Sequence, residues 1–215
     1  MKTISKALLS RLPRYLEHLK SVSSENGTYI SSTAVAAALG LGHALVRKDL
    51  SRICDKGHPK KGYVRLELIA DIESHLGYNF SMDAVLVGTG KLGSALLDYP
   101  GFLEYGMNLV AGFDIAPEHR GESTNKPVYP LSQLGAFCRE QDIRLGIITV
   151  PVSSAQQICD LMVENGILSI WNFAPTHLRV PEHVRVHNEN LAVSLAELRM
   201  QLRNLDSESC TCEVI

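Results

Sequence analysis

The chain has 215 residues, 45% hydrophobic and 20% charged, with a formal net charge of −2, a balance that suits one or two globular domains. It has no run of about 18 apolar residues, which excludes a membrane-spanning helix. Residues 1–12 carry Lys2, Lys6 and Arg11 but no long apolar stretch, so no secretory leader is expected and the cytoplasm is the expected compartment.

In chain order, apolar positions at 8, 9, 12, 15, 16 and 19 predict a first helix over 8–19. Ser21 to Thr28 is polar, with Asn26-Gly27, and reads as a loop. Tyr29-Ile30 is a short extended piece, and Ser31 and Ser32 offer N-caps for a helix to Leu39, stopped by Gly40. Leu41-Gly42 forms a tight turn before a second helix from His43 to Cys54. Two short helices joined by a glycine-containing turn make a helix-turn-helix over about 14–54. Asp55 to Gly62 is turn-rich and basic, Tyr63 to Leu66 reads as a strand, and Glu67 to Leu76 as a closing helix. The hairpin implied between them resembles the wing of a winged-helix domain.

From Gly77 to Met82 the chain reads as a linker, and the rhythm then changes. Strands are expected at 83–87, 108–113, 145–150 and 169–173, and helices at 90–98, 131–141 and 154–165. That alternation predicts a doubly wound α/β fold with a parallel sheet. A last helix over 190–205 has leucines at 191, 195, 198, 202 and 205, the spacing of a seam between helices. The expected organisation is a DNA-binding head at 1–80, a Rossmann domain at 81–189, a dimerisation helix at 190–205 and a disordered tail at 206–215. Charge divides the same way. Twelve Lys and Arg stand against seven Asp and Glu in residues 1–80, a net of +5, and the remainder carries −7. A basic head points to an anionic partner. The five cysteines are odd in number and scattered, so no disulfide framework is expected. Cys54, Cys138 and Cys159 are expected to act as small apolar residues, while Cys210 and Cys212 sit in the polar tail.

The chemistry-bearing motif is Gly88-Thr89-Gly90-Lys91-Leu92-Gly93, which follows a predicted strand and opens a predicted helix. Gly88 permits the tight turn, Gly90 a close approach to a pyrophosphate, and Gly93 the packing of helix on strand. Amides at the helix start would meet the phosphates. Asp114 ends the next strand and can accept hydrogen bonds from ribose hydroxyls while repelling a 2′-phosphate, and Ile115 and Ala116 supply no arginine, so NAD is favoured over NADP. Coenzyme A remains an alternative nucleotide. Thr149-Val150-Pro151 and Asn172-Phe173-Ala174-Pro175 end later strands and are candidates to border the nicotinamide half, because ligands sit beyond the carboxyl ends of such strands.

No catalytic constellation accompanies this motif. Tyr-x-x-x-Lys, a nucleophile elbow and zinc-ligand spacing are absent, and His119, His177, His183 and His187 stand in no relay. A cofactor site without catalytic partners implies a cofactor that acts as a signal, with a small NAD-dependent oxidoreductase as the alternative. In the head, Arg47 and Lys48 lie about 100° apart on the second helix, so one can face a base edge while the other reaches phosphate. Lys60, Lys61 and Gly62 place positive charge at the wing.

Together these residues resemble the Rex family of bacterial redox-sensing repressors. The resemblance rests on Arg11-Leu12-Pro13 with Tyr15-Leu16, Arg47-Lys48-Asp49-Leu50-Ser51, Gly62-Tyr63, Gly88 to Leu96, Tyr99-Pro100-Gly101-Phe102, Phe113-Asp114, Pro127-Val128-Tyr129, Thr149-Val150-Pro151 and Asn172 to Pro175. It implies a homodimer that exchanges its C-terminal helices, binds operator DNA through Arg47, Lys48 and Ser51, and releases it when NADH binds. It further implies that Tyr99 serves the cofactor-responsive switch. The chain departs from the family pattern at Ser51-Arg52-Ile53-Cys54, at His58-Pro59-Lys60-Lys61 and at Gly42-His43. The family's switching ion pair falls on Glu17 and Asn190, where it cannot form, so a relative with altered switching is a further alternative.

Overall fold

The computed structural model describes residues 4–23, 28–117 and 124–209. They form two compact units, one of the described residues up to 81 with 104–106, the other of those from 82 to 103 and from 107 onward.

The first unit begins with two helices where periodicity predicts one. Helix α1 (Lys6–Leu9) ends before α2 (Leu12–Ser21), which carries Pro13 in its first turn. Proline has no N–H to donate to the preceding turn, so the helix restarts there. Leu8, Leu12, Tyr15, Leu16 and Leu19 are all buried in one core, so the apolar stripe survives the break. After strand β1 (Tyr29–Ile30) comes α3 (Ser32–Leu39), capped by Ser31, whose hydroxyl accepts the Ala34 N–H at 3.0 Å. Gly40, at φ +64°, closes α3 in the left-handed conformation and turns the chain into α4 (His43–Ile53). Gly42 gives α4 no side-chain cap.

The wing is a tight turn, with His58 and Gly62 paired and Lys60 at φ +65°. Gly62, at φ +89°, lies so close to β1 that a Cβ would stand 2.2 Å from the Ile30 carbonyl oxygen. Strand β2 (Tyr63–Val64) pairs antiparallel with β1, and α5 (Arg65–Leu76) follows at once. The strand predicted to reach Leu66 is therefore two residues long. Its partner offers only Tyr29 and Ile30, and beyond them the Arg65 N–H bonds Thr28 O while its side chain bonds Leu19 O.

In the second unit, strands β3 (Met82–Val87), β4 (Met107–Asp114), β5 (Val128–Pro130), β6 (Leu145–Ile148), β7 (Ser169–Asn172) and β8 (Arg185–Asn188) form one parallel sheet in the order β5-β4-β3-β6-β7-β8. Alternate residues feed two cores. Val85, Val87, Phe113 and Ile148 meet α8 (Leu134–Glu140) and α9 (Val152–Glu164), while Ala84, Leu86 and Ile147 meet α6 (Lys91–Leu97) on the opposite face. The short α7 (Gly101–Glu104) precedes β4. The helix expected over 131–141 starts as a 3-10 turn, Leu131–Gln133. A final helix, α10 (Leu191–Ser209), runs four residues past its expected end at Leu205. Val193, Leu195, Leu198 and Leu202 on it are exposed, and the side chains of Leu191 and Leu205 lie outside the described residues, as do Cys210 and Cys212. Among the described residues no helix is long and apolar enough to cross a membrane.

Cys54, Cys138 and Cys159 are free and buried. Burial pushes the Cys138 and Cys159 thiols up to about 11, and raises Cys54 as well. Because the thiolate is the nucleophile, these three are expected to resist alkylation at neutral pH until denaturant is added. Mass-spectrometric mapping checks this, and labelling of Cys138 in the native protein would contradict it.

Candidate functional site

Strands β3 and β6 are neighbours whose following helices lie on opposite faces of the sheet, so a cleft opens at their carboxyl ends. It encloses about 570 Å³. Gly88, Gly90, Asp114, Thr149, Val150 and Pro151 line it, as do Ile115, Leu131, Ser154 and Ile158, which sequence reasoning did not assign.

The glycine loop is held by close backbone approach. Gly88 sits at φ +97° and donates its N–H to Phe113 O at 2.8 Å. A Cβ on Gly88 would stand 2.7 Å from Val150 Cγ1, and one on Gly93 would stand 1.9 Å from Gly88 O. Thr149 Oγ1 donates to Gly88 O at 2.6 Å, locking the loop from the β6 side. Thr89 is fully buried, and both its N–H (2.8 Å) and its hydroxyl (3.1 Å) donate to Asp114 Oδ2. Asp114 Oδ1 accepts the Ala116 N–H at 3.2 Å. Asp114 is therefore a wall of the cleft and also the brace of its loop, a second role no sequence motif signals.

The other predicted residues divide. Lys91 and Leu92 are exposed on α6, outside the cleft lining. Asn172 is buried and holds the following turn together, donating to Ala174 O, Thr176 O and Asn188 Oδ1 and accepting the Ala174 N–H. Ala174 and Pro175 line a separate recess of about 120 Å³ with His177. Phe173 packs on Trp171, ring centroids 4.8 Å apart, on the α6 side of the sheet. Tyr99 is 50% exposed and meets Phe102 edge-on at 4.9 Å.

The residues present fit a nucleotide. A backbone cradle that side chains would fill suits a phosphate, and Ile115, Leu131 and Ile158 supply apolar surface for a ring. Among the described residues that line the cleft, Asp114 has the one ionisable side chain. Among the described residues no group of three or more His, Cys, Asp or Glu could hold a metal ion.

In the first unit, Val46, Asp49, Leu50 and Ile53 form the buried stripe of α4, and Arg47, Lys48, Ser51 and Arg52 are exposed. Lys60 and Lys61 are exposed on the wing turn. Asp49 is only 3% exposed. It accepts from Arg11 Nε at 2.7 Å, Arg11 Nη2 at 3.1 Å and the Tyr15 hydroxyl at 2.8 Å. The exposed basic face thus stands on a helix whose one acid is turned inward and neutralised. Its shape and charge suit the major groove.

Two family models match the chain, a "Putative DNA-binding protein N-terminus" at residues 3–51 and a "CoA binding domain" at residues 81–176. The redox-sensing transcriptional repressor Rex of Porphyromonas gingivalis is 36% identical over 198 residues, covering 92% of this chain and 91% of the relative. The Rex-family repressor RSP, solved with β-NAD+ and operator DNA, superposes with a TM-score of 0.86 at 29% identity, covering all of both chains. The same repressor with β-NADH gives 0.84 at 30% identity, covering 98% of this chain and 100% of RSP.

Proposed function

Because this chain belongs to the Rex family of redox-sensing transcriptional repressors, we propose that it is a cytoplasmic DNA-binding repressor that reads the ratio of NADH to NAD+ and leaves its operator when NADH binds. The observation that carries this reading is the braced cradle of Gly88, Thr89, Gly93 and Asp114 beside a cleft with no acid–base pair among the described residues that line it. The nucleotide acts there as an effector, supplying binding energy and no redox step. The amides from Gly88 to Gly93, including those of Gly90, Lys91 and Leu92, receive its pyrophosphate. Asp114 takes a ribose, Thr149 to Pro151 flank the far half, and the turn from Asn172 to Pro175 borders the nicotinamide end. Arg47, Lys48 and Ser51 read the major groove, Lys60, Lys61 and Gly62 meet the backbone, and Tyr99 belongs to the switch. The working form is a homodimer with exchanged α10 helices, supported by the exposed Leu195, Leu198 and Leu202 and by the half-covered Trp171 and Phe173 on the sheet.

The test is operator binding by a fluorescent palindromic duplex at fixed salt, titrated with NADH, NAD+ and coenzyme A. NADH should weaken binding about 5–150-fold, the usual range of coupling between two sites, with little effect of NAD+ or coenzyme A. Binding indifferent to both dinucleotides would instead support the relative with altered switching that Glu17 and Asn190 suggest. Release by coenzyme A would favour the ligand that the matching domain model names.

A further inference from the structure

A second recess, of about 430 Å³, lies in the first unit. Each of its nitrogen-bearing side chains comes from a different element. His18 stands near the end of α2, Lys61 on the wing and Arg65 at the start of α5, and Tyr29, Ser31 and Ala34 complete it. Among the described residues no carboxylate lines it, and His18, Lys61 and Arg65 form no ion pair.

The groups are also pre-positioned. Lys61 Nζ lies 5.4 Å from the Tyr29 ring centroid, and His58 abuts the same ring edge-on at 5.5 Å. Arg65 spends one N–H on Leu19 O at 2.9 Å, which fixes its guanidinium while leaving its other donors for a ligand. Ser31 caps α3 and Ala34 stands in its first turn, the end of a helix that favours an anion. Two cations and an imidazole, with no acid among the described residues that line the recess, suit an anion, and phosphate is the chemical class that such donors bind best.

Its position decides which phosphate. Ser32, next to Ser31, places its Oγ 3.4 Å from Nε2 of His43, the first residue of α4. The recess therefore borders the N-terminal end of the reading helix. In helix-turn-helix docking that end enters the major groove while the preceding helix crosses the backbone. We infer that His18, Lys61 and Arg65, with Tyr29 holding Lys61 in place, form a seat for one backbone phosphate of the operator, flanking the bases read by α4. The inference rests on the DNA-binding reading above, and adds His18, Tyr29 and Arg65 to it.

The experiment measures operator affinity against salt for the full-length protein and for Lys61→Gln, Arg65→Gln and Arg65→Lys. Neutralising a phosphate contact should lower the slope of log affinity against log salt by about one and weaken operator and non-operator duplexes alike. Arg65→Gln should show this and Arg65→Lys, which keeps the charge, should not, a split that loss of the Leu19 bond alone does not produce. NADH affinity should be unchanged throughout. If the unmutated protein binds DNA and the slopes of Lys61→Gln and Arg65→Gln match its slope, the seat is wrong while the repressor reading stands. If the unmutated protein binds no duplex, both fail. Inorganic phosphate that shifts the His18 ring resonances, with slopes unchanged, would assign the recess to a free anion and overturn the backbone seat.

Discussion

Gly93→Ala is expected to cost about 5–150-fold in NADH affinity and to raise by the same factor the NADH needed to release the operator. The Cβ it adds would lie 1.9 Å from Gly88 O and 2.8 Å from Thr149 Oγ1. Neither obstacle is the far end of a flexible side chain. Gly88 O is backbone, and the Thr149 hydroxyl is itself the group that locks Gly88. The loop must therefore move, and an extra methyl in a close-packed site costs about 1–3 kcal/mol. At 1.4 kcal/mol per tenfold, that is the affinity range stated. Operator binding without cofactor should survive, because the head belongs to the other unit. Calorimetry with NADH, beside a thermal melt, measures both effects. NADH affinity unchanged in a folded Gly93→Ala protein would show that the cradle does not receive the dinucleotide.

The glycine loop was legible in the sequence because its spacing encodes backbone approach, which needs no knowledge of distant residues. The sheet was legible for a similar reason, since β3, β4, β6 and β7 are apolar runs. Strand β8, Arg185–Asn188, was not, because an edge strand with three polar residues out of four carries no such run. Strand β5 is only three residues long. Periodicity also misread the first helix, since counting apolar positions does not register the N–H that Pro13 lacks. Within the site, Ile115, Leu131, Ser154 and Ile158 obey no local motif and meet only when the sheet assembles. Asp114 shows the same limit from the other side. Its place at the end of β4 could be read, but its grip on Thr89, 25 residues earlier, depends on how β3 and β4 pair.

Asp49 escaped sequence reading for the same physical reason, its partner Arg11 being 38 residues away, and it is the residue on which the head is expected to depend most. Asp49→Ala should destabilise the head by about 3 kcal/mol. Removing one member of a buried pair costs about 3–5 kcal/mol, and the low end applies because the Arg11 side chain is 21% exposed and can recruit water. A domain holds only about 5–15 kcal/mol in all, so operator binding should fall steeply while NADH binding in the other unit persists. Asp49→Leu combined with Arg11→Met removes both charges and should recover part of the loss. Tyr15 gives an independent readout. Burial first, then its bond to Asp49, raises its hydroxyl above 10, and burial raises Tyr63 and Tyr78 as well. A folded value above the unfolded one stabilises the head fully below about pH 10 and loses that stabilisation as pH climbs through the folded values. The head should therefore unfold in alkali as its buried tyrosines ionise. In Asp49→Asn, which withdraws the negative charge but keeps the fold's shape, the Tyr15 titration followed by tyrosinate absorbance should move to lower pH. A Tyr15 titration that stays where it was would mean that burial alone holds the ring neutral and that Asp49 serves Arg11 only.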